Sequence, residues 1–302
     1  MTCRWTWKRR WVDARYLFDY ADRVPLMSGR IGKLLHTLVL GPWAQLWRNK
    51  TFTLSLVRRE IEGRYRGAYG GLLWYIINNL MLLTIYSFVF GTIFKARWNI
   101  PGAEGNFSVP LFLGMIMFNV FAECISRAPI SITGNANYVK RVVFPLEVLP
   151  VVNMGAALFN FMVGVVVLAC LAFVLGAHIH WQIVWLPVLL IPVVLLVLGL
   201  SWFLAAIGVY VRDVTHIVGF VVISTMFMSP IFFPGSAFPE KFKSWMLANP
   251  MTFPIEAGRA AALQGQTPDL LILGIMSLVG LVVAHLGYTL FQATRKGFAD
   301  VL

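Results

Sequence analysis

Between Val148 and Val211 the chain runs for 64 residues without a single Lys, Arg, Asp or Glu. A helix crosses a hydrocarbon core of about 30 Å in roughly 20 residues, so this stretch is too long for one crossing. Its natural break is Gly176-Ala177-His178-Ile179-His180-Trp181-Gln182, where polar residues and an indole ring suit a membrane–water interface. One span is expected on each side of that turn.

Four other charge-poor blocks add four more spans: Leu72 to Phe94, Gly105 to Ala122, Val214 to Pro239 and Leu270 to Thr294. The predicted fold is an all-α integral membrane protein with six transmembrane helices. Hydrophobic residues make up 59% of the chain and charged ones 13%, about half the charge of an average soluble domain. The net charge of +12 is a matter of topology and anionic lipid rather than nucleic acid, because 14 of the 25 Lys and Arg precede residue 67. With both termini in the cytoplasm, 20 Lys and Arg fall on the inner side and five on the outer, as the positive-inside rule requires. Cys3, Cys124 and Cys170 lack metal-ligand spacing, and no secretory signal precedes the first block.

Three regions are expected: a cytoplasmic extension over residues 1–50, an amphipathic helix over 51–71, and the six-span domain over 72–302. In Thr51 to Arg66, Leu54, Val57 and Ile61 share a helical face among charged positions, the pattern of a helix lying on the inner leaflet. The outer segment before the last span carries Pro234, Pro239, Pro250 and Pro254. These prolines exclude a continuous helix and predict short helices dipping into the outer leaflet.

Catalytic signatures are scarce. Gly29-Arg30-Ile31-Gly32-Lys33-Leu34 is too short for a phosphate-binding loop and lacks its Ser or Thr. Paired carboxylates are missing, and His178 and His180 read as interface residues. The third to sixth blocks hold no Lys, Arg, Asp or Glu in their central portions, with Glu123 near the end of the second, so a coupling-ion site of a secondary transporter is not expected. No catalytic residue, metal site or cofactor is assigned to the chain. A passive channel or a permease driven by a separate ATPase remains.

Three motifs in order narrow this further. Arg58-Arg59-Glu60-Ile61 with Arg64-Tyr65-Arg66 and Gly70 to Trp74 leads into the first span. Asn137 to Pro150, containing Lys140-Arg141 and Phe144-Pro145-Leu146-Glu147, joins the second span to the third. Arg212-Asp213 follows the fourth span, with Ser229-Pro230-Ile231-Phe232-Phe233-Pro234, Asn249-Pro250 and Arg259 beyond. Together, from about residue 45 to 302, they resemble the membrane subunit of bacterial polysaccharide-exporting ABC transporters, the permeases of O-antigen and capsule export. The Phe144 to Pro150 run and Phe94-Lys95-Ala96-Arg97-Trp98 look more like the O-antigen type. Residues 1–44 depart from the pattern.

The resemblance implies a homodimer in the inner membrane with two copies of a nucleotide-binding subunit, which would hold ATP and Mg. The implied substrate is a glycan on undecaprenyl diphosphate. Arg58, Arg59, Arg64 and Arg66 are then candidates for the lipid diphosphate, with headgroup anchoring as the alternative. Ile130, Ile132, Tyr138, Lys140 and Arg141 are candidates for coupling to the ATPase. Tyr86, Phe90, Phe118, Phe227, Phe232 and Phe233 are candidates for a channel lining, since aromatic faces let sugars slide. Glu256 and Arg259 form a candidate pair at the outer gate or, equally, on the surface. The rival readings are an ABC permease for a smaller lipid or drug, and a membrane scaffold or enzyme.

Overall fold

Prolines mark where the helices begin. The computed structural model describes residues 49–65, 72–93, 107–136, 144–235, 241 and 243–301. Its elements are α1 (Lys50–Tyr65), α2 (Leu72–Tyr86, continued by a π-helical stretch Ser87–Ile93), α3 (Ser108–Arg127), α4 (Ile130–Thr133) and α5 (Val148–Leu175). After a 3₁₀ turn at Trp181–Val184 come α6 (Trp185–Leu189), α7 (Ile191–Tyr210), α8 (Val214–Met228), α9 (Lys243–Ala248), α10 (Thr252–Gln264), α11 (Leu270–Thr294) and α12 (Phe298–Val301). Pro110, Pro150, Pro187, Pro192 and Pro254 all occupy the second or third helical position. There the backbone N–H has no partner in the helix, so a residue lacking one costs nothing.

The long apolar run breaks where its sequence predicts. Gly176 ends α5 with φ 67°, and its N–H and that of Ala177 donate to Phe173 and Ala172, the left-handed closure that glycine adopts without strain. Asp269 starts α11 by accepting from Leu271 and Ile272 at 2.9 and 3.3 Å.

Among the described residues, five helices are long and apolar enough to cross a membrane: Leu73–Ile93, Ser108–Arg127, Val148–Leu175, Trp181–Tyr210 and Leu270–Val301. The expected block from Val214 to Pro239 is instead a shorter apolar helix of 15 residues, α8. Its rise is roughly 22 Å at 1.5 Å per residue. Pro230 accounts for the early stop, because it pushes Ser229 out of helical geometry, to ψ 149°.

Contacts at the helix ends separate two levels. At one level the C-terminal ends of α3, α7 and α11 meet the N-terminal end of α5. Tyr210 donates to the Thr294 carbonyl at 3.1 Å, Arg295 pairs with Glu147 at 3.0 Å, and Arg64 of α1 meets Glu123. At the other level lie the start of α3, the end of α8 and the helices α9 and α10. Arg259 binds the Pro110 carbonyl there, Asn249 donates to the Ser229 hydroxyl, and His180 N–H reaches Ala262.

Lipid is as apolar as a leucine side chain, so close packing and polar contacts must hold such helices together. The α7–α11 seam shows this. A Cβ built on Gly287 would come within 2.0 Å of the Gly199 carbonyl oxygen, and one on Gly199 within 2.4 Å of that of Val283. Only glycine permits this approach. Trp202 fills the seam's inner end, fully buried, with its indole N–H on the Glu147 carbonyl at 3.0 Å. α3 is enclosed on most sides, whereas α2 and α11 leave Trp74, Met81, Ile85, Ile275, Leu278 and Leu286 exposed on faces suited to lipid.

Helix α1 rests on the protein through a stripe other than its most apolar one. Leu54 is 66% exposed, so it does not pack against the other helices. The inward stripe is Thr53, Val57, Glu60 and Arg64, with Val57 seated against Gly155 of α5, where an added Cβ would lie 2.7 Å from Val57 Cγ2. Glu60 and Arg64 of this stripe find charged partners inside, which outweighs the apolar pattern.

Candidate functional site

Arg64 sits on the last turn of α1 with its side chain 11% exposed. Its Nε donates to Glu60 one helical turn back at 2.9 Å, and its Nη1 donates to Glu123 on α3. Asn160 of α5 donates to the other oxygen of Glu123 at 2.9 Å, and Arg127 approaches Glu60 at 3.7 Å. Two carboxylates and two guanidiniums thus cancel between α1 and α3, with Asn160 of α5 adding a neutral donor. Each charge is expensive there alone and tolerable in company. Arg64 Nη2 is buried without a hydrogen-bond partner among the described residues, so the network retains one unused donor.

Beside it opens a cleft of about 290 Å³ between α1, the α4 turn and α5, lined by Arg59, Gly63, Ser131, Asn135, Leu149 and Asn153 among others. Arg59, Asn135 and Asn153 can offer hydrogen-bond donors, whereas Ser131 spends its hydroxyl on the Ala128 carbonyl and Glu60 adds a carboxylate to the lining, so the cleft suits a polar group that Arg59 can pair with. Arg58 points elsewhere and is exposed, paired with Glu62 at 2.9 Å. Arg66 lies outside the described residues, as do Tyr138, Lys140 and Arg141. Of the remaining coupling candidates, Ile130 is 51% exposed while Ile132 is wholly buried beneath it. The α4 turn is pressed against α7, where a Cβ on Gly208 would lie 2.2 Å from the Pro129 carbonyl oxygen.

At the opposite level the structure brings four of the six aromatic candidates together. Phe232 stacks on Phe90 at 4.7 Å, meets Tyr86 edge-on at 5.2 Å and lies 5.6 Å from Phe227. Phe118 is apart from them, buried in the core 5.7 Å from Phe121. Phe233 is half-buried against the core. The sequence offers these rings as separate candidates; the turn after α8 and the π stretch of α2 make them a cluster.

Arg259 is 3% exposed, so the surface-pair alternative is overturned. It donates to the carbonyls of Pro110 at 2.9 Å, Ile231 at 2.8 Å and Pro230. Burial pushes its guanidinium down to about 9, opposed by the charge of Glu256, which leaves it protonated at neutral pH. Glu256 accepts from the Gly235 N–H at 2.9 Å.

The combination of long apolar helices, α1 packed on α3 and α5, and the short helices α9 and α10 has a counterpart among known families. Residues 51–263 match the family model described as ABC-2 type transporter. The chain belongs to the ABC-2 type transporter family. It is 29% identical over 258 residues to an O-antigen export system permease protein from Myxococcus xanthus, covering 85% of this chain and 97% of that one. An O-antigen export permease from Klebsiella pneumoniae is 26% identical over 82% of this chain and 93% of its own length. A polysialic acid transport protein from Escherichia coli is 26% identical over 80% and 93%.

Within this ABC-2 chain, sequence reasoning overlooked the carboxylates that occupy Arg64. The signals were present: Glu60 and Arg64 are spaced i, i+4, and Glu123 is a lone acid in an apolar span, which calls for a cationic partner.

Proposed function

We propose that this chain is the membrane subunit of an ATP-driven exporter that moves a lipid-linked polysaccharide out of the cytoplasm, in a bacterial inner membrane. The observation that carries the reading is the family match over residues 51–263 together with likeness to O-antigen export permeases along nearly their whole length. O-antigen is the favoured glycan over capsule, since two of the three similar permeases described above are O-antigen proteins.

In this reading the chain works as a homodimer with two ATPase subunits, which bind ATP and Mg, and the substrate is a glycan on undecaprenyl diphosphate. Six crossings with both ends inside are favoured by the two levels of contact: α8 starts beside the end of α7 and finishes beside Arg259 at the other level. α8 then crosses with help from its non-helical flanks. Arg59 in the cleft and the unused donor of Arg64 supply cationic groups for the diphosphate where α1 meets the membrane. Arg58 serves the headgroup region, and Arg66 joins either set. Ile130 on α4, with the Tyr138 to Arg141 segment, receives the push of the ATPase. The aromatic cluster lines the path near its outer end, where Glu256 and Arg259 stand.

The test is purification of the full chain with its copurifying ATPase, reconstitution in vesicles, and measurement of ATP-dependent transfer of lipid-linked glycan. Transfer of the glycolipid supports the reading. An ATPase stimulated only by small lipids or drugs would replace it with the smaller-substrate permease, and activity without an ATPase would replace it with an enzyme or scaffold.

A further inference from the structure

Resting on that reading, we propose that Arg259 is a positioning residue for Phe232, holding the aromatic cluster at the outer end of the path through the backbone that precedes the ring. The geometry begins with the end of α8. Ser229 is extended, its hydroxyl turned back onto the Thr225 carbonyl at 2.6 Å, and the chain passes through Pro230 and Ile231 before it reaches Phe232. Carbonyls in such a turn have no helix to satisfy them and need donors from elsewhere. Arg259, arriving from α10, supplies two of them, at Pro230 and Ile231, and places its Nε on Pro110 of α3.

One planar guanidinium therefore ties the turn to the first turn of α3. A lysine has a single ammonium and lacks the fork that reaches both segments at once. α3 is shaped for this side chain: a Cβ at Gly114 would stand 2.6 Å from Arg259 Nη2 and 3.5 Å from the Ile231 Cα. Asn249 adds a second hold on the turn by donating to the Ser229 hydroxyl at 2.9 Å. Phe232, the next residue after Ile231, is 2% exposed and is the ring that Phe90, Tyr86 and Phe227 share. α2 and α8 are thereby joined at the outer level through a side chain whose backbone is set by α10.

The test uses the full chain in its native membrane with Cys3, Cys124 and Cys170 replaced by Ala. Phe90→Cys with Phe232→Cys is crosslinked by a short bifunctional methanethiosulfonate, and Asn79→Cys with Asn119→Cys serves as a control pair away from the turn. Arg259→Lys is expected to slow the first crosslink about tenfold, the scale of losing charge-assisted hydrogen bonds, and to leave the control within about twofold. Export should fall equally in Arg259→Lys, Phe232→Ala and the double variant. If Arg259→Lys does not accumulate, Gly114→Ala displaces the same guanidinium without altering charge and is expected to give the same pattern. An unchanged Phe90–Phe232 crosslink, an equal fall in the control pair, or additive export losses would overturn the proposal. A responsive crosslink in a chain that exports no glycolipid would sink the functional reading while leaving Arg259 its positioning role.

Discussion

Arg64 and Glu123 bind each other across 59 positions of sequence, joining helix α1 to the last turns of α3. The pair is held on both sides, by Glu60 on α1 and by Asn160 on α5. Any movement of α1 relative to the spans must break or carry this network.

Glu123→Ala strands a mostly buried guanidinium and is expected to cost on the order of 2 kcal/mol, below the figure for a fully buried pair because both side chains keep some water. Arg64→Ala should cost about the same, and the double variant distinctly less than the two together, since neither charge is then left alone. Thermal unfolding of the four proteins in one detergent checks this; strictly additive losses would mean that the pair is energetically idle.

Gly287→Ala forces a methyl group into the α7–α11 seam, where the Gly199 carbonyl oxygen lies 2.0 Å from the new Cβ. The helices must separate, and a loss of about 1–3 kcal/mol or failure to accumulate is expected. Gly274 on the same helix has nothing within 4 Å of its Cβ position, so Gly274→Ala should change stability by less than about 1 kcal/mol. Comparing membrane yield and melting temperature of the two variants decides whether close approach, rather than glycine itself, is what matters.

Phe298 is fully buried behind the last span, 5.5 Å from Phe291 and 6.0 Å from Tyr210. Its neighbour Arg295 grips Glu147 and the Phe144 carbonyl. Phe298→Ala is expected to lower stability by about 3 kcal/mol, which limited proteolysis should reveal as release of the C-terminal turn. Full resistance would show that the aromatic contact is dispensable.

Arg59 lines the cleft while Arg58 faces outward with Glu62. Under the proposed function, Arg59→Ala should reduce glycolipid export about tenfold through loss of a charge-assisted contact. Arg58→Ala should change it about twofold or less, and neither should alter melting by more than about 0.5 kcal/mol. Equal export by both variants would take the cleft out of substrate handling.

If α8 crosses the membrane, a cysteine at Asp213 reacts only from the cytoplasmic side and one at Lys241 only from the outside. Labelling of intact and opened cells with a charged maleimide distinguishes the sides. Same-sided labelling would reduce the crossings to those of the five long helices.

Among the elements, α11 was legible to the residue, from Leu270 to Thr294, because Asp269 and Arg295 bracket an uninterrupted apolar run. The break at Gly176 was equally plain. Charge and hydropathy are local properties, and a bilayer converts them directly into spans. The inward face of α1 was not legible, because Leu54, Val57 and Ile61 make the better apolar stripe and only the position of Glu123 on another helix draws Glu60 and Arg64 inward. Likewise, five phenylalanines and Tyr86 looked interchangeable in sequence, and Arg259 looked like one half of a pair with Glu256, at a gate or equally on the surface. The early end of α8 brought Phe232 to Phe90, and the fold enclosed Arg259 among three backbone carbonyls. Sequence alone marked the five long apolar helices, since each residue's transfer free energy is its own. Only the tertiary structure decided which polar groups meet, because a buried charge or carbonyl must take its partner from whichever helix the packing brings within about 3 Å.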